Sequence, residues 1–158
     1  MQAVTIQPET IFRSLADETR LRIIHLMAVT GEEACLCELA DSLLEPPYKL
    51  SRHLKILRQA GLLSSYKDGR WVYHRLVAEP ACLETVYAAV RALPGPDQVY
   101  RADRARFGER MGLREDGRCR VGILSGKLKH RPGETGDGHE TPSRYNGQTK
   151  HFGTKVAS

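Results

Sequence analysis

The sequence predicts a mainly α-helical chain with one β-hairpin, the winged helix-turn-helix class. Three observations carry that prediction. Four short stretches with apolar residues at helical spacing run from Glu9 to Gln59. Two stretches of strand character then flank Asp68-Gly69, a strong signal for a tight hairpin. A further amphipathic stretch, Ala81 to Leu93, follows and is stopped by Pro94-Gly95-Pro96.

Taken in order, Ile11, Phe12 and Leu15 mark a short first helix from about Glu9 to Leu15. Asp17 is placed to cap a second helix, with Glu18 in the first turn, where the helix dipole favours an acid. Leu21, Ile24 and Leu26-Met27 give that helix a buried face, and Gly31 breaks it. A third helix starts near Cys35 and runs through Leu39 and Leu43 to Pro46-Pro47. Pro47 suits a helix start, where its missing N–H costs little. The fourth helix spans Tyr48 to Gln59, with Leu50, Leu54 and Leu57 turned inward and Ala60-Gly61 closing it. Strands are expected over Leu62 to Lys67 and Arg70 to Leu76. Val99 to Leu113 is a polar, basic stretch of helical character.

At 158 residues the chain has room for one ordinary domain with a modest core. Its 24 Lys+Arg against 19 Asp+Glu give a formal charge of +5, suited to a polyanionic partner. The distribution says more. Between Lys49 and Arg75 the cations Lys49, Arg52, Lys55, Arg58, Lys67, Arg70 and Arg75 face a single acid, Asp68. No basic-then-apolar leader opens the chain, and no apolar run nears the roughly 18 residues of a membrane span. The expectation is a cytoplasmic protein without a membrane partner. Its four cysteines, Cys35, Cys37, Cys82 and Cys119, are then thiols rather than disulfides.

A helix that reads the major groove presents hydrogen-bonding side chains, backed by cations for phosphates. Tyr48, Lys49, Ser51, Arg52, His53 and Lys55 occupy the start and middle of the fourth helix. Ser51, Arg52 and His53 are assigned to bases and phosphate positioning. Lys49, Lys55 and Arg58 are assigned to phosphate affinity. Lys67 and Arg70 flank the hairpin tip and reach along the backbone or into a minor groove. A single basic helix would be read as a solvated face. Here it lies beside a basic hairpin and behind an apolar stripe, which favours double-stranded DNA. His53 has a second reading, packing against the preceding turn.

Three strings resemble the ArsR/SmtB family of metalloregulatory repressors, and within it the arsenic-responsive type. They are Leu15-Ala16-Asp17-Glu18-Thr19-Arg20-Leu21-Arg22-Ile23, then Leu50-Ser51-Arg52-His53-Leu54 with Leu57-Arg58-Gln59-Ala60-Gly61-Leu62, and Asp68-Gly69-Arg70-Trp71-Val72-Tyr73-His74. The resemblance covers about Phe12 to Leu93 and extends weakly towards Val121. It implies a homodimer that represses by binding a two-fold symmetric operator, and an inducer that binds thiolates and lowers operator affinity. On that basis residues 1–94 form the winged helix-turn-helix DNA-binding and dimerisation domain. Residues 95–124 are a C-terminal extension, and 125–158 are a Gly-, Lys- and His-rich tail expected to be disordered. Many relatives carry a Ser-Gln pair where this chain has Pro46-Pro47, so its operator reading departs from theirs at that point.

Cys35 and Cys37, in Cys35-Leu36-Cys37-Glu38-Leu39, match the sensing string of the resembling family. A helix N-terminus favours the thiolate form of both. On an ideal helix two sulfurs at i and i+2 diverge by about 200°. Ligation would then unwind the third helix and disturb the fourth. Trivalent arsenic and antimony are soft and prefer thiolates, and the bare ion wants three. Many arsenic-responsive relatives place a third Cys where this chain has Ala40. Three completions are open: Cys119 from Leu113-Arg114-Glu115-Asp116-Gly117-Arg118-Cys119-Arg120-Val121, a small cellular thiol, or an organic trivalent arsenical that needs only two sulfurs. Cys82 reads as a packing residue near the dimer seam. The helix Ala81 to Leu93 has no His and only Glu84 as an acid, which disfavours a zinc site there. No organic cofactor is expected.

Other classes are weighed on the same residues. Cys35 and Cys37 could be two small semi-buried apolar residues of a regulator without inducer. As a redox pair they would suit an enzyme, but no βαβ setting or nucleophile-base arrangement accompanies them. The chain is read as not an enzyme. The alternative kept is a thiol redox-sensing regulator of the same fold.

Overall fold

Asp17 accepts the backbone N–H of Arg20 at 3.0 Å and caps the second helix, while Gly31 ends it in the left-handed region at φ 68°. These signals bound α2, Glu18–Thr30, which follows α1, Pro8–Leu15. The computed structural model describes residues 5–125. Beyond α2 come β1 (Ala34–Cys35), α3 (Leu36–Leu43), α4 (Pro47–Gln59), β2 (Leu63–Asp68), β3 (Trp71–Leu76), α5 (Cys82–Ala92) and α6 (Asp97–Met111). This is the winged helix-turn-helix class, and the helices expected from apolar spacing are present within one or two residues at each end.

One apolar core joins the helices. Ile23, Ile24, Leu26 and Met27 of α2 meet Leu39 and Leu43 of α3, and Leu50, Leu54 and Leu57 of α4. Tyr87 of α5 and Phe107 of α6 complete it. The inward stripe of α4 is the expected one, and its opposite side is left to solvent. Between α3 and α4, Leu44 sits in the left-handed region at φ 54°, Pro46 is extended, and Pro47 opens α4.

The wing is the antiparallel pair β2–β3, running from Leu63↔Leu76 to Asp68↔Trp71, with Gly69 at φ 60° in its turn. Sequence reading missed β1. Its two residues pair with β3 as Ala34↔His74 and Cys35↔Tyr73, giving the sheet order β1-β3-β2. A two-residue strand has no period to read.

The basic stretch after Pro96 is α6, which lies along α3 and α2. Buried Arg22 of α2 holds buried Asp103 of α6 with two hydrogen bonds, of 2.9 and 2.7 Å, and donates a third to the Leu43 carbonyl at 2.7 Å. No helix among the described residues is long and apolar enough to cross a membrane. The expected disordered tail, with His130, His139 and His151, lies outside the described residues apart from Ser125.

Candidate functional site

Cys35 has extended backbone, φ −87° and ψ 166°, and stands as the N-cap of α3 while pairing in β1. Its N–H donates to Glu38 Oε2 at 3.0 Å, the return bond of a capping box. Cys37, two residues on, is inside α3. The expected divergence of two sulfurs on one helix therefore does not arise: the first sulfur precedes the helix. No unwinding of α3 is required for the two thiols to meet.

The third thiol comes from the far end of the described chain. Cys35 Sγ, Cys119 Sγ and a Glu38 carboxylate oxygen all lie within 4.8 Å of one another, and all three residues are buried. Half-buried Cys37 packs against this group together with Tyr66 and Trp71. Arg110 approaches from α6, its Nη2 3.6 Å from Cys119 Sγ.

The thiols are unequal. The hydrogen bond from Cys35 pulls Cys37 below its ordinary pKa, with help from Arg110. That same bond, with burial, pushes Cys35 up. Burial pushes Cys119 up to about 11. The helix N-terminus does not lower both thiols of the pair, as the sequence suggested, because only one charge fits in a dry cluster.

Glu38, Tyr73, Arg110 and Arg114 were not singled out in the sequence. Glu38 is fully buried and takes a forked ion pair from Arg114, with contacts of 2.8 and 2.9 Å. Arg114 Nη2 also donates to the Glu33 carbonyl at 2.7 Å. Asp41 accepts the N–H groups of Leu124 and Ser125 at 2.8 to 3.0 Å, with Arg110 Nη1 at 3.3 Å. Glu38 had a local signal, three residues after an N-cap. Arg114 lies 76 residues from Glu38 in sequence, and the arginines had none.

On the opposite side, Tyr48, Lys49, Ser51, Arg52 and Lys55 of α4 are exposed, and Arg58 is half-buried. Lys49 Nζ pairs with Glu45 at 3.0 Å. His53 is half-buried with Nδ1 3.2 Å from Arg20 Nη1 and 3.7 Å from Asp17 Oδ1. Burial lowers its pKa, so the ring is neutral at pH 7. Lys67 and Arg70 are exposed on the wing, and the Arg70 guanidinium lies 4.6 Å from the centre of the Trp71 ring. Cys82, expected to pack near a dimer seam, does not pack in the core of the single chain, where Leu83 takes the inward position; it lines an apolar groove with Phe12 and Val86.

One family model and a number of curated relatives match, three of which follow. The model of the bacterial regulatory protein arsR family matches residues 17–65, from the cap of α2 into β2. The chain is 40% identical over 110 residues to the arsenic resistance transcriptional regulator ArsR1 of Pseudomonas putida, covering 66% of this chain and 83% of that one. It is 47% identical over 74 residues to ArsR2 of the same bacterium, covering 47% and 64%. It is 48% identical over 69 residues to the arsenical resistance operon repressor of Escherichia coli, covering 44% and 58%. Two of the three matches thus span less than two thirds of the relative. With the winged helix-turn-helix already described, these matches identify the chain as a member of the ArsR family of bacterial regulatory proteins, a DNA-binding transcriptional regulator and not an enzyme.

Proposed function

We propose that this regulator is a cytoplasmic repressor, bound to operator DNA as a homodimer and released when trivalent arsenic or antimony is held by the thiolates of Cys35, Cys37 and Cys119. The observation that carries the reading is the meeting of Cys119 with Cys35, their sulfurs within 4.8 Å, with Cys37 packed alongside. It favours Cys119 over a cellular thiol as the third donor. The names of the three relatives, each tied to arsenic or arsenical resistance, favour a metalloid inducer.

The metalloid would supply a soft centre that prefers sulfur to oxygen. The chain's own residues do the rest. Cys37 offers the first thiolate. The protons of Cys35 and Cys119 would leave as water with the hydroxyls of the metalloid acid, and Arg110 favours the Cys37 thiolate before it ligates. Arg114 keeps the Glu38 carboxylate in place beside the sulfurs. Since α3 packs on α4, any shift of α3 as the thiols close on the metalloid would move the DNA-reading helix.

On the DNA side, Ser51 and Arg52 are assigned to bases. Tyr48, Lys49, Lys55, Arg58, Lys67 and Arg70 are assigned to the backbone. His53, its Nδ1 turned to α2, is assigned to positioning α4. The homodimer is supported by an apolar groove of about 540 Å³ on α1 and α5, where Phe12 and Leu93 are 67% and 61% exposed.

The test is fluorescence anisotropy of a labelled promoter fragment from the protein's own operon. Reduced protein is added first, then arsenite, antimonite or phenylarsine oxide. Release by arsenite supports a three-sulfur site. Release by the organic arsenical alone means a two-thiol site. Binding that no arsenical disturbs rejects the metalloid. The low Cys37 thiol beside Cys35 also suits a redox sensor, and release by peroxide but not by arsenite would select it.

A further inference from the structure

The C-terminal turn that carries Cys119 also reaches the wing. Glu115 and Arg118 close it with paired backbone hydrogen bonds of 3.0 and 2.9 Å. Arg118 then spans two elements of the sheet region. Its Nε lies 3.1 Å from Asp68 at the wing tip, and its Nη1 lies 2.8 Å from Glu33 and 3.0 Å from the Tyr66 hydroxyl.

The turn stands between two clefts. On one side a cleft of about 600 Å³ carries both signs, Glu32, Glu33 and Asp116 beside Arg75, Arg114 and Arg118. On the other, a cleft of about 450 Å³ is lined by Arg70, Trp71, Arg118 and Arg120. Asp68 is the one acid lining that second cleft, and Arg118 holds it. Arg118 thus offsets Asp68 while it also pairs with Glu33, and the turn gives the wing tip a further cation, Arg120, from a distant part of the sequence.

We propose that the C-terminal turn is part of the DNA interface. Arg118 neutralises Asp68, and Arg120, beside Arg70, contacts the phosphate backbone where the wing meets the duplex. The proposal rests on the DNA-binding reading of α4 and the wing. Phosphate contacts by arginine add affinity without sequence preference, and each releases counterions. An unpaired Asp68 at the same place would repel the duplex.

The experiment uses the full, reduced chain and the promoter fragment, with affinity followed over a series of salt concentrations. Arg120→Ala should flatten the slope of log affinity against log salt by about one for each Arg120 in contact, about two for a dimer. Its deficit should shrink about threefold per site for a fourfold rise in salt. Arg120→Lys should keep the wild-type slope. Arg120 is exposed, so the melting temperature of Arg120→Ala should not move. Arg118→Ala should weaken binding, and adding Asp68→Asn should restore it. A wild-type slope in Arg120→Ala overturns the phosphate contact while leaving DNA binding intact. Failure of Asp68→Asn to restore Arg118→Ala overturns the neutralising role. Failure of the wild-type chain to bind any duplex overturns the DNA reading and this proposal with it.

Discussion

The backbone N–H of Cys119 donates to the Tyr73 hydroxyl at 2.7 Å, and Tyr73 is also the β3 residue that pairs with Cys35. One tyrosine thus fixes both ends of the thiol cluster. Tyr73→Phe should leave a buried N–H without its acceptor and cost about 1–3 kcal/mol in urea unfolding. Release of DNA by arsenite should weaken with it. Unchanged stability would mean that the N–H finds another acceptor.

Cys119→Ser tests the third donor directly. Operator affinity should stay near wild type, because Cys119 is buried and the near-isosteric serine leaves Arg118 and Arg120 in place. Arsenite should no longer release DNA, while phenylarsine oxide, needing two sulfurs, should still do so. An unaltered arsenite titration would remove Cys119 from the site.

Arg114→Met strips the buried Glu38 carboxylate of its forked partner. Loss of one member of a buried pair costs about 3–5 kcal/mol, and a fall in the urea midpoint of that order is expected. Glu38→Gln in the Arg114→Met background should recover part of it, since the uncompensated charge is then gone. Equal loss in the single and double variants would assign the cost to packing.

Buried His74 gives a pH signature. Burial lowers its pKa from 6.5 to about 4, and its Nδ1 has no hydrogen-bond partner. The unfolded chain takes up a proton near 6.5 while the fold resists until about 4. Between those values the unfolded state binds more protons, so stability falls as pH drops and levels off below about 4. The loss is about 3 kcal/mol at order of magnitude. In His74→Gln the fall over that window should be shallower than in wild type. Carboxylates titrate in both proteins and cancel in the difference. Parallel curves would exclude His74 as the source.

Thiol reactivity should follow the inequality within the cluster. Iodoacetamide at pH 7, read by peptide mass spectrometry, should label Cys37 before Cys35 and Cys119. The Cys37 rate should plateau at a pH below the ordinary thiol value. Faster labelling of Cys119 than of Cys37 would contradict the assigned order.

What the sequence disclosed was what repeats or is local. The inward leucines of α4, the Asp17 cap and the Asp68-Gly69 turn each carry a signal inside a few residues, and each has its expected place. The Cys35-x-Cys37 string and the basic side of α4 were equally visible. Hidden features were those made by distance along the chain. Pairing of β1 with β3 moved Cys35 out of the helix and reversed the shift expected of its thiol. Arg114 reaches Glu38, and Arg118 reaches Asp68, only because α6 turns the chain back over α3. Nothing near those arginines announces a partner.

The connection between α3 and α4 has a mechanical meaning. Leu44 holds a left-handed backbone, and beyond Glu45 the rings of Pro46, at φ −60°, and of Pro47 restrict two further φ angles. With Leu44 left-handed and two ring-restricted residues beyond Glu45, few backbone angles in this elbow are free to absorb a tilt of α3, and stiffness is what the proline pair contributes.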